Sequence, residues 1–238
     1  MLRNSFPRFV WPCVVLALLL SARIQAEEFI VDYDKSLLGF VNHKRGIASG
    51  LLVDPLTYPS KYELKIGLNP AIESATFNIR YDVKNIQVAG SKKLGRWGRK
   101  VFEAGAAPRP LETPSPSRQK KIRKTILSKK FMDAARYPEV RVKSLGIEII
   151  PDGPNKNPHT YNMKIQIAMH GETVKATFPA TIILNGDHLT IDAAFRLKLS
   201  DFKIKPYSGF FGAVRFSDQF HVYMHFEATR SKDEDAAP

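Results

Sequence analysis

Residues 220–226 read FHVYMHF, and this stretch decides the fold class. Large apolar residues occupy every second position, and the positions between them carry His221, Tyr223 and His225. A period of two places successive side chains on opposite faces of a β-strand. We therefore predict a strand with one apolar face turned to a core and one polar face turned outward.

The same alternation recurs along most of the chain. It is clear in four further runs, at 62–68, 163–169, 178–184 and 189–199. Asn185-Gly186 and His170-Gly171 fit short hairpin turns between such runs. At least eight strands at hairpin spacing favour an antiparallel meander, and closing such a sheet removes its edges. We expect an all-β fold, an antiparallel barrel of about eight strands. The pattern leaves open whether side chains fill the barrel or a ligand occupies it.

Residues 1–26 have the features of a secretory signal peptide. Arg3 and Arg8 precede an apolar run of 11 residues at 10–20, and small Ala26 precedes two glutamates. A membrane-spanning helix needs roughly 20 apolar residues, so an uncleaved anchor is the weaker alternative. We expect export and cleavage after Ala26, which leaves a barrel domain at 27–230 and a polar tail at 231–238.

Few residues suggest catalysis. The only cysteine, Cys13, lies in the signal segment, so the mature chain has no disulfide and no thiol nucleophile. The six histidines lack metal-ligand spacing, and neither a Gly-x-Ser-x-Gly motif nor a glycine-rich phosphate loop occurs. Asp32 and Asp34 fit a turn better than an acid–base pair. We therefore expect no enzymatic activity, no metal and no cofactor.

Positive charge is concentrated in one segment. The formal net charge is +13, and 11 lysines and arginines but only two glutamates fall within residues 91–125. Prolines and glycines interrupt residues 89–125, which predicts a long exposed basic loop. One short helix is expected at 126–136, and residues 117–124 are a candidate extension at its start.

The basic segment has three candidate roles. The plainest is a solvated linker. Contact with an anionic membrane surface or an acidic partner is favoured by Trp97 and Val101, which interleave with Arg96, Arg99 and Lys100. Nucleic acid is the least favoured partner, because the chain is expected to be exported and its remaining charge is nearly balanced.

Several segments, in order, resemble those of the YceI-like family. Most of 29–229 takes part. The resemblance rests on Asp34, Ser36, Phe40, Arg123, Leu127, Phe131, Tyr137-Pro138-Glu139, Ser144, the run at 167–171 with Thr173, the run at 200–204, and Asp218 with the closing strand to Ala228.

This resemblance implies an extended lipocalin-like barrel in the bacterial periplasm that binds a polyisoprenoid or similar long-chain amphiphile. An isoprenoid quinone is among the ligands it would admit, and a homodimer is left open. An accessory protein that uses 91–125 on a membrane or a partner is the alternative function. The side chains expected to contact the ligand are Leu38, Phe40, Ile165, Ile167, Met169, Phe178, Ile182, Phe195, Leu197, Phe220, Val222, Met224 and Phe226. The same residues would otherwise form a dry core.

Overall fold

The computed structural model describes residues 27–45, 54–69, 71–151, 160–209 and 214–231. The predicted signal peptide at 1–26 lies outside the described residues, as does all but the first residue of the predicted tail.

The described residues form twelve strands and two α-helices. The strands are β1 (Glu27–Val31), β2 (Leu37–Arg45), β3 (Leu56–Pro59), β4 (Glu63–Asn69), β5 (Ala71–Asp82), β6 (Ile86–Val88), β7 (Glu139–Ile149), β8 (Thr160–Met169), β9 (Glu172–Asn185), β10 (His188–Lys198), β11 (Ser208–Gly209) and β12 (Val214–Arg230). The helices are α1 (Ser91–Glu103) and α2 (Pro116–Leu127), and 3₁₀ turns lie at Val83–Asn85 and Ser200–Phe202.

Eight antiparallel strands close into a barrel, as the sequence predicts. The order around it is β1, β4, β5, β7, β8, β9, β10 and β12, and β1 pairs with both β4 and β12. The predicted hairpins at Asn185-Gly186 and His170-Gly171 connect β9 to β10 and β8 to β9. Gly171 and Gly186 have φ of 81° and 58°, values that glycine adopts without strain.

One edge of β12 serves two strands in succession. Residues Ala228–Arg230 pair with β1, and residues 215–225 pair with β2. Between them the chain turns at Asp32, whose carboxylate accepts hydrogen bonds from the backbone N–H groups of Asp34 and Lys35. From β2 the sheet continues to β3 and β6 rather than to β4. The barrel therefore closes at one end and splays into a second arm of sheet at the other.

The prediction of an exposed loop at 89–125 is wrong, because most of that segment is helical. Leu94, Trp97 and Val101 are spaced along one face of α1 and are buried. Gly95 and Gly98 disfavour a helix locally. Burial of this apolar face outweighs that preference, since most helix stability in proteins comes from packing.

The predicted helix at 126–136 is also wrong, because α2 ends at Leu127. The Ser128 hydroxyl donates to the Thr125 carbonyl, and Ser128 itself is extended. The chain then folds back, so that the amide of Met132 donates to the carbonyl of Ile126. This turn directs Phe131 and Met132 against the barrel core, and their apolar spacing reflects that contact rather than a helical face.

A second apolar core lies outside the barrel, beneath α1. Trp97 and Val101 pack there with Leu37 and Val41 of β2 and Tyr223 of β12. The predicted outward face of β12 does point away from the barrel interior, but His221, Tyr223 and His225 are buried by this cover. On β12, the wet face expected from the alternation is therefore a second packed face.

Two of the basic residues that interleave with Trp97 contact its ring. Its ring contacts the ring of His225 at a centroid distance of 5.3 Å, and the Arg96 guanidinium and Lys100 amine lie 5.5 Å and 5.1 Å from its centroid. These are cation–π distances within the fold. Trp97 and Val101 are therefore not available to insert into a membrane.

Replacing Trp97 with alanine tests whether α1 is part of the fold. We expect Trp97→Ala to lower the free energy of unfolding by about 3–5 kcal/mol, the range for emptying a large aromatic site in a core. Phe102→Ala is the matched control on the same helix, because Phe102 is 38% exposed, and its effect should stay within about 0.5 kcal/mol. Urea unfolding measures both. Equal, small losses would contradict the packing of α1 described here.

Candidate functional site

An apolar cavity of about 310 Å³ lies at the splayed end of the barrel. β2 and β3 form one wall and α2 forms another. The turn after α2 and the end of β8 supply the floor. Its lining is Phe40, Asn42, Lys44, Pro55, Thr57, Tyr81, Ile86, Arg118, Lys121, Ile122, Thr125, Ile126, Phe131, Met132, Met169, Leu199, Tyr207, Phe216 and Phe220. Its volume falls at the lower end of the range of about 300–1,000 Å³ that small-molecule sites occupy.

One face of α2 builds the outer wall of this cavity. Arg118, Lys121, Ile122, Thr125 and Ile126 follow the i, i+3, i+4 spacing of a single helical face and all line the cavity. None of the residues of α2 is fully buried. The apolar residues of this face, Ile122 and Ile126, are therefore only partly buried, and they border the cavity.

Arg123 holds α2 in place. Its Nε donates to the Ile86 carbonyl at 2.9 Å and its Nη2 donates to the Lys84 carbonyl at 2.6 Å. Both carbonyls lie in the short strand β6 and the 3₁₀ turn that precedes it. Hydrogen bonds from a charged donor are stronger than neutral ones. They give α2 an attachment that does not depend on a buried apolar face.

The mouth of the cavity carries three cations. Lys44 reaches it from β2, and Arg118 and Lys121 reach it from α2. Among the described residues that line the cavity, none is acidic. Burial lowers the pKa of Lys44 to about 8; Arg118 and Arg109 act in the same direction, whereas Asp54 opposes them.

Asp54 lies beside this mouth and is already paired. Its Oδ2 lies 2.9 Å from Arg109 Nη2 and 3.4 Å from His43 Nδ1, and its Oδ1 accepts from the backbone N–H of Lys44. Burial works against the charged carboxylate, but these partners hold the pKa of Asp54 below its ordinary value. The ring of His43 meets that of His221 edge-on at 4.5 Å, which joins this polar cluster to the outer core.

A smaller cavity of about 40 Å³ lies deeper in the barrel. Ten of the thirteen predicted contact residues line it, namely Leu38, Phe40, Ile165, Ile167, Met169, Phe195, Leu197, Phe220, Val222 and Met224. Four residues, Phe40, Tyr81, Met169 and Phe220, line both cavities and therefore stand between them. Phe178, Ile182 and Phe226 belong to the packed core and line neither of the two.

Sequence reasoning identified the barrel interior but missed the mouth. The prediction of a loop at 89–125 places Arg118 and Lys121 away from any cavity, and the predicted contact residues do not include Ile122 and Ile126. One signal was present, since apolar and basic residues alternate at helical spacing from Arg118 to Ile126. The prolines before that stretch weakened it, so that 117–124 was predicted only as a candidate extension of a helix at 126–136.

Several of the segments that carry the family resemblance meet near the splayed end of the barrel. The ring of Tyr137 lies 4.4 Å from that of His170, whose Nδ1 is 3.0 Å from the Phe202 carbonyl oxygen. Asp218 accepts hydrogen bonds from the backbone and side chain of Ser200. These contacts fix the turns next to Met169 and Leu199, which line the cavity.

The described part of the chain shows no grouping of three or more His, Cys, Asp or Glu side chains suited to a metal ion. Over the same residues, neither helix has the length and hydrophobicity of a membrane span.

A closed antiparallel barrel with an apolar cavity at its mouth defines a class of ligand-binding folds. The model of the YceI-like domain matches residues 60–228, which is most of the chain. The chain therefore belongs to the YceI-like family, and the predicted resemblance is confirmed. Among proteins with curated descriptions, none matches the chain significantly.

Solved structures share the fold at low sequence identity. The chain is similar to Burkholderia cenocepacia BcnA, with a TM-score of 0.57 and 20% identity over 84% of this chain and 100% of that one. The Campylobacter jejuni YceI protein matches with a TM-score of 0.51 and 14% identity, over 74% and 85%. A polyisoprenoid binding domain from Saccharophagus degradans gives a TM-score of 0.50 and 10% identity, over 87% and 99%.

Replacing Arg123 tests whether it holds the cavity wall. We expect Arg123→Gln to lower the local stability of α2 by about 1.5 kcal/mol, the lower end for hydrogen bonds from a charged donor. The amides of α2 should then exchange with deuterium about tenfold faster. Lys124→Gln removes the same charge from the adjacent, exposed position and should leave exchange unchanged. Equal rates in the two variants would contradict the role of Arg123.

Proposed function

We propose that this protein binds a long-chain amphiphile, such as a polyisoprenoid, with its apolar chain in the cavity at the barrel mouth. The observation that carries the proposal is the cavity itself, whose lining combines aromatic, aliphatic and methionine side chains with charge only at its entrance. Burying apolar surface contributes roughly 25 cal/mol per Å², so a hydrocarbon chain needs few polar contacts to bind.

The family and one structural neighbour support the same function. The chain belongs to the YceI-like family, and the similar domain from Saccharophagus degradans is described as polyisoprenoid-binding. The proposed role is binding rather than catalysis. An isoprenoid quinone would enter through the same apolar lining.

A ligand chain would extend from the mouth toward the deeper cavity. Both spaces are bordered by Phe40, Tyr81, Met169 and Phe220, so a chain longer than the mouth must pass between these side chains. Methionine suits this position because its unbranched side chain repacks readily around different shapes. The predicted contact residues deeper in the barrel would be reached only by long chains.

Filling the mouth with a larger side chain tests the proposal. Ile122→Trp places an indole in the cavity from α2, and overpacking of this kind costs about 1–3 kcal/mol, so the affinity for geranylgeraniol should fall about tenfold. Calorimetric titration measures it, and thermal unfolding checks the fold.

Lys120→Trp adds the same indole to an exposed position of α2 outside the lining. It should bind geranylgeraniol like the unaltered protein. If neither the unaltered protein nor Lys120→Trp takes up the alcohol, or if Ile122→Trp binds it equally well, the cavity is not the binding site.

We also propose that the protein acts in the periplasm after cleavage behind Ala26. The motivation is the order of charged, apolar and small residues before Glu27. Protein recovered from the periplasmic fraction should begin at Glu27 when its N-terminus is sequenced. Recovery of the full-length chain from the cytoplasm would contradict the proposal.

A further inference from the structure

We propose that the exposed side of α2 and the turn after it form a docking surface for an anionic lipid membrane, which holds the cavity mouth against the bilayer. This inference rests on the proposed function, because the surface borders the opening through which an amphiphile would enter. We call this surface the basic rim. Its members are Arg118, Lys120, Lys121, Lys124, Lys129 and Lys130.

The basic rim follows from how the residues of α2 divide between its two sides. Beyond Ser117, every exposed residue of α2 is basic. On the other side, Ile122 and Ile126 are partly buried and line the cavity. Lys129 and Lys130 are exposed in the turn that follows, and the next two residues of that turn also line the cavity. Positive charge therefore covers the outer side of one cavity wall along its whole length.

The fold does not use the charges of the basic rim. The sequence contains no aspartate or glutamate from Thr113 to Met132. Among the described residues, the six side chains of the basic rim form no ion pair and no cation–π contact. The attachment of α2 depends instead on Arg123, which donates to the carbonyls of Ile86 and Lys84. The six cations are therefore available to a partner outside the chain.

An anionic bilayer matches both the charge and the apolar opening behind it. Basic clusters bind anionic headgroups, and the hydrocarbon below them is the natural environment of a long-chain amphiphile. A nucleic acid or an acidic protein would use the charges but leave the opening unused. Tyr207 lines the same cavity and is 36% exposed, and its ring lies 5.8 Å from that of Phe216. Tyrosine is enriched at membrane–water interfaces, where its ring and hydroxyl meet both phases.

The composition of the basic rim also determines how deeply the protein docks. Beyond Pro116, no exposed residue of α2 is apolar, so the helix lies at the level of the headgroups rather than inserting below them. Such a contact is electrostatic, and salt weakens it because the Debye length is about 8 Å at physiological ionic strength. Docking is therefore reversible, as the exchange of a lipid between protein and membrane requires.

Two variants of equal net charge test the basic rim by sedimentation with vesicles. The mature chain from Glu27 should bind vesicles of equal parts phosphatidylglycerol and phosphatidylcholine at low salt, should leave pure phosphatidylcholine unbound, and should be released by added salt. Lys120→Gln/Lys124→Gln/Lys129→Gln should lower the affinity for the anionic vesicles at least about tenfold, since each lysine near such a surface contributes about fivefold. Lys92→Gln/Lys143→Gln/Lys175→Gln removes three exposed charges from α1 and the barrel wall and should bind nearly as tightly as the unaltered chain.

Uptake of a ligand from the vesicles tests whether the docked mouth faces the bilayer. The unaltered chain should take up geranylgeraniol from anionic vesicles at least about tenfold faster than from neutral ones at low salt, because electrostatic attraction raises the rate of encounter. The variant at 120, 124 and 129 should lose this difference. Its affinity for geranylgeraniol in solution should be unchanged, because none of the three residues lines the cavity. Equal uptake rates in the variant and the unaltered chain would overturn the proposed orientation.

Three results of the sedimentation experiment would overturn the docking surface. Equal losses in both triple variants would show that only the overall charge matters. Equally tight binding to neutral vesicles would show adsorption without the basic rim. Tighter binding to a double-stranded DNA oligonucleotide than to anionic vesicles at the same salt would make the surface a general polyanion site. Each of these results leaves the proposed function standing, whereas failure of the unaltered chain to bind geranylgeraniol in solution would refute that function and leave vesicle binding unaffected.

Discussion

The structure depends on a single strand edge that two partners share. A backbone group can donate or accept for one neighbouring strand at a time, so β12 pairs with β1 at Ala228–Arg230 and with β2 at 215–225. β1 passes on to β4 and closes the barrel, whereas β2 leads to β3 and β6. The Ser36 hydroxyl, which accepts from the backbone N–H of Glu227, marks where one partner gives way to the other.

The cavity and the helices follow from that division. Where the sheet splays, the interior is no longer enclosed by strands, and α2 with the turn after it covers the opening. The other face of β2 and β12 would be exposed, and α1 covers it with Trp97 and Val101. Residues 89–125 therefore supply two helices that each pack against one face of the splayed sheet. This packing explains why a segment so rich in basic residues also contains buried ones. Some of its cations take part in these contacts, and two others, Arg118 and Lys121 of α2, line the cavity.

The barrel could be predicted from the sequence because its strands and hairpin turns are each indicated by residues close together in the chain. Alternation at 220–226 and the turns at His170-Gly171 and Asn185-Gly186 determine strands, faces and connections among neighbours in the chain. The covers could not be predicted in the same way, because α1 is stabilised by contacts with Leu37, Val41 and Tyr223, all distant in sequence. Glycines and prolines within 89–125 also weakened the helical pattern of its apolar residues. The interior residues were predicted correctly as an inward face, but their role as ligand contacts stays a prediction. The mouth depends on α2, which the sequence indicated only as a candidate extension at 117–124 of a helix placed too far along the chain.

The sizes of the two cavities determine how affinity should grow with chain length. Filling the mouth displaces no packed side chain, so each buried Å² adds roughly 25 cal/mol. Extending further means displacing the side chains around a void of about 40 Å³, and forcing additional groups into a packed core costs about 1–3 kcal/mol. That cost offsets what burying about 40–120 Å² of chain returns at roughly 25 cal/mol per Å². The first isoprene units should therefore contribute most of the apolar affinity, and discrimination between ligands falls to the groups at the mouth.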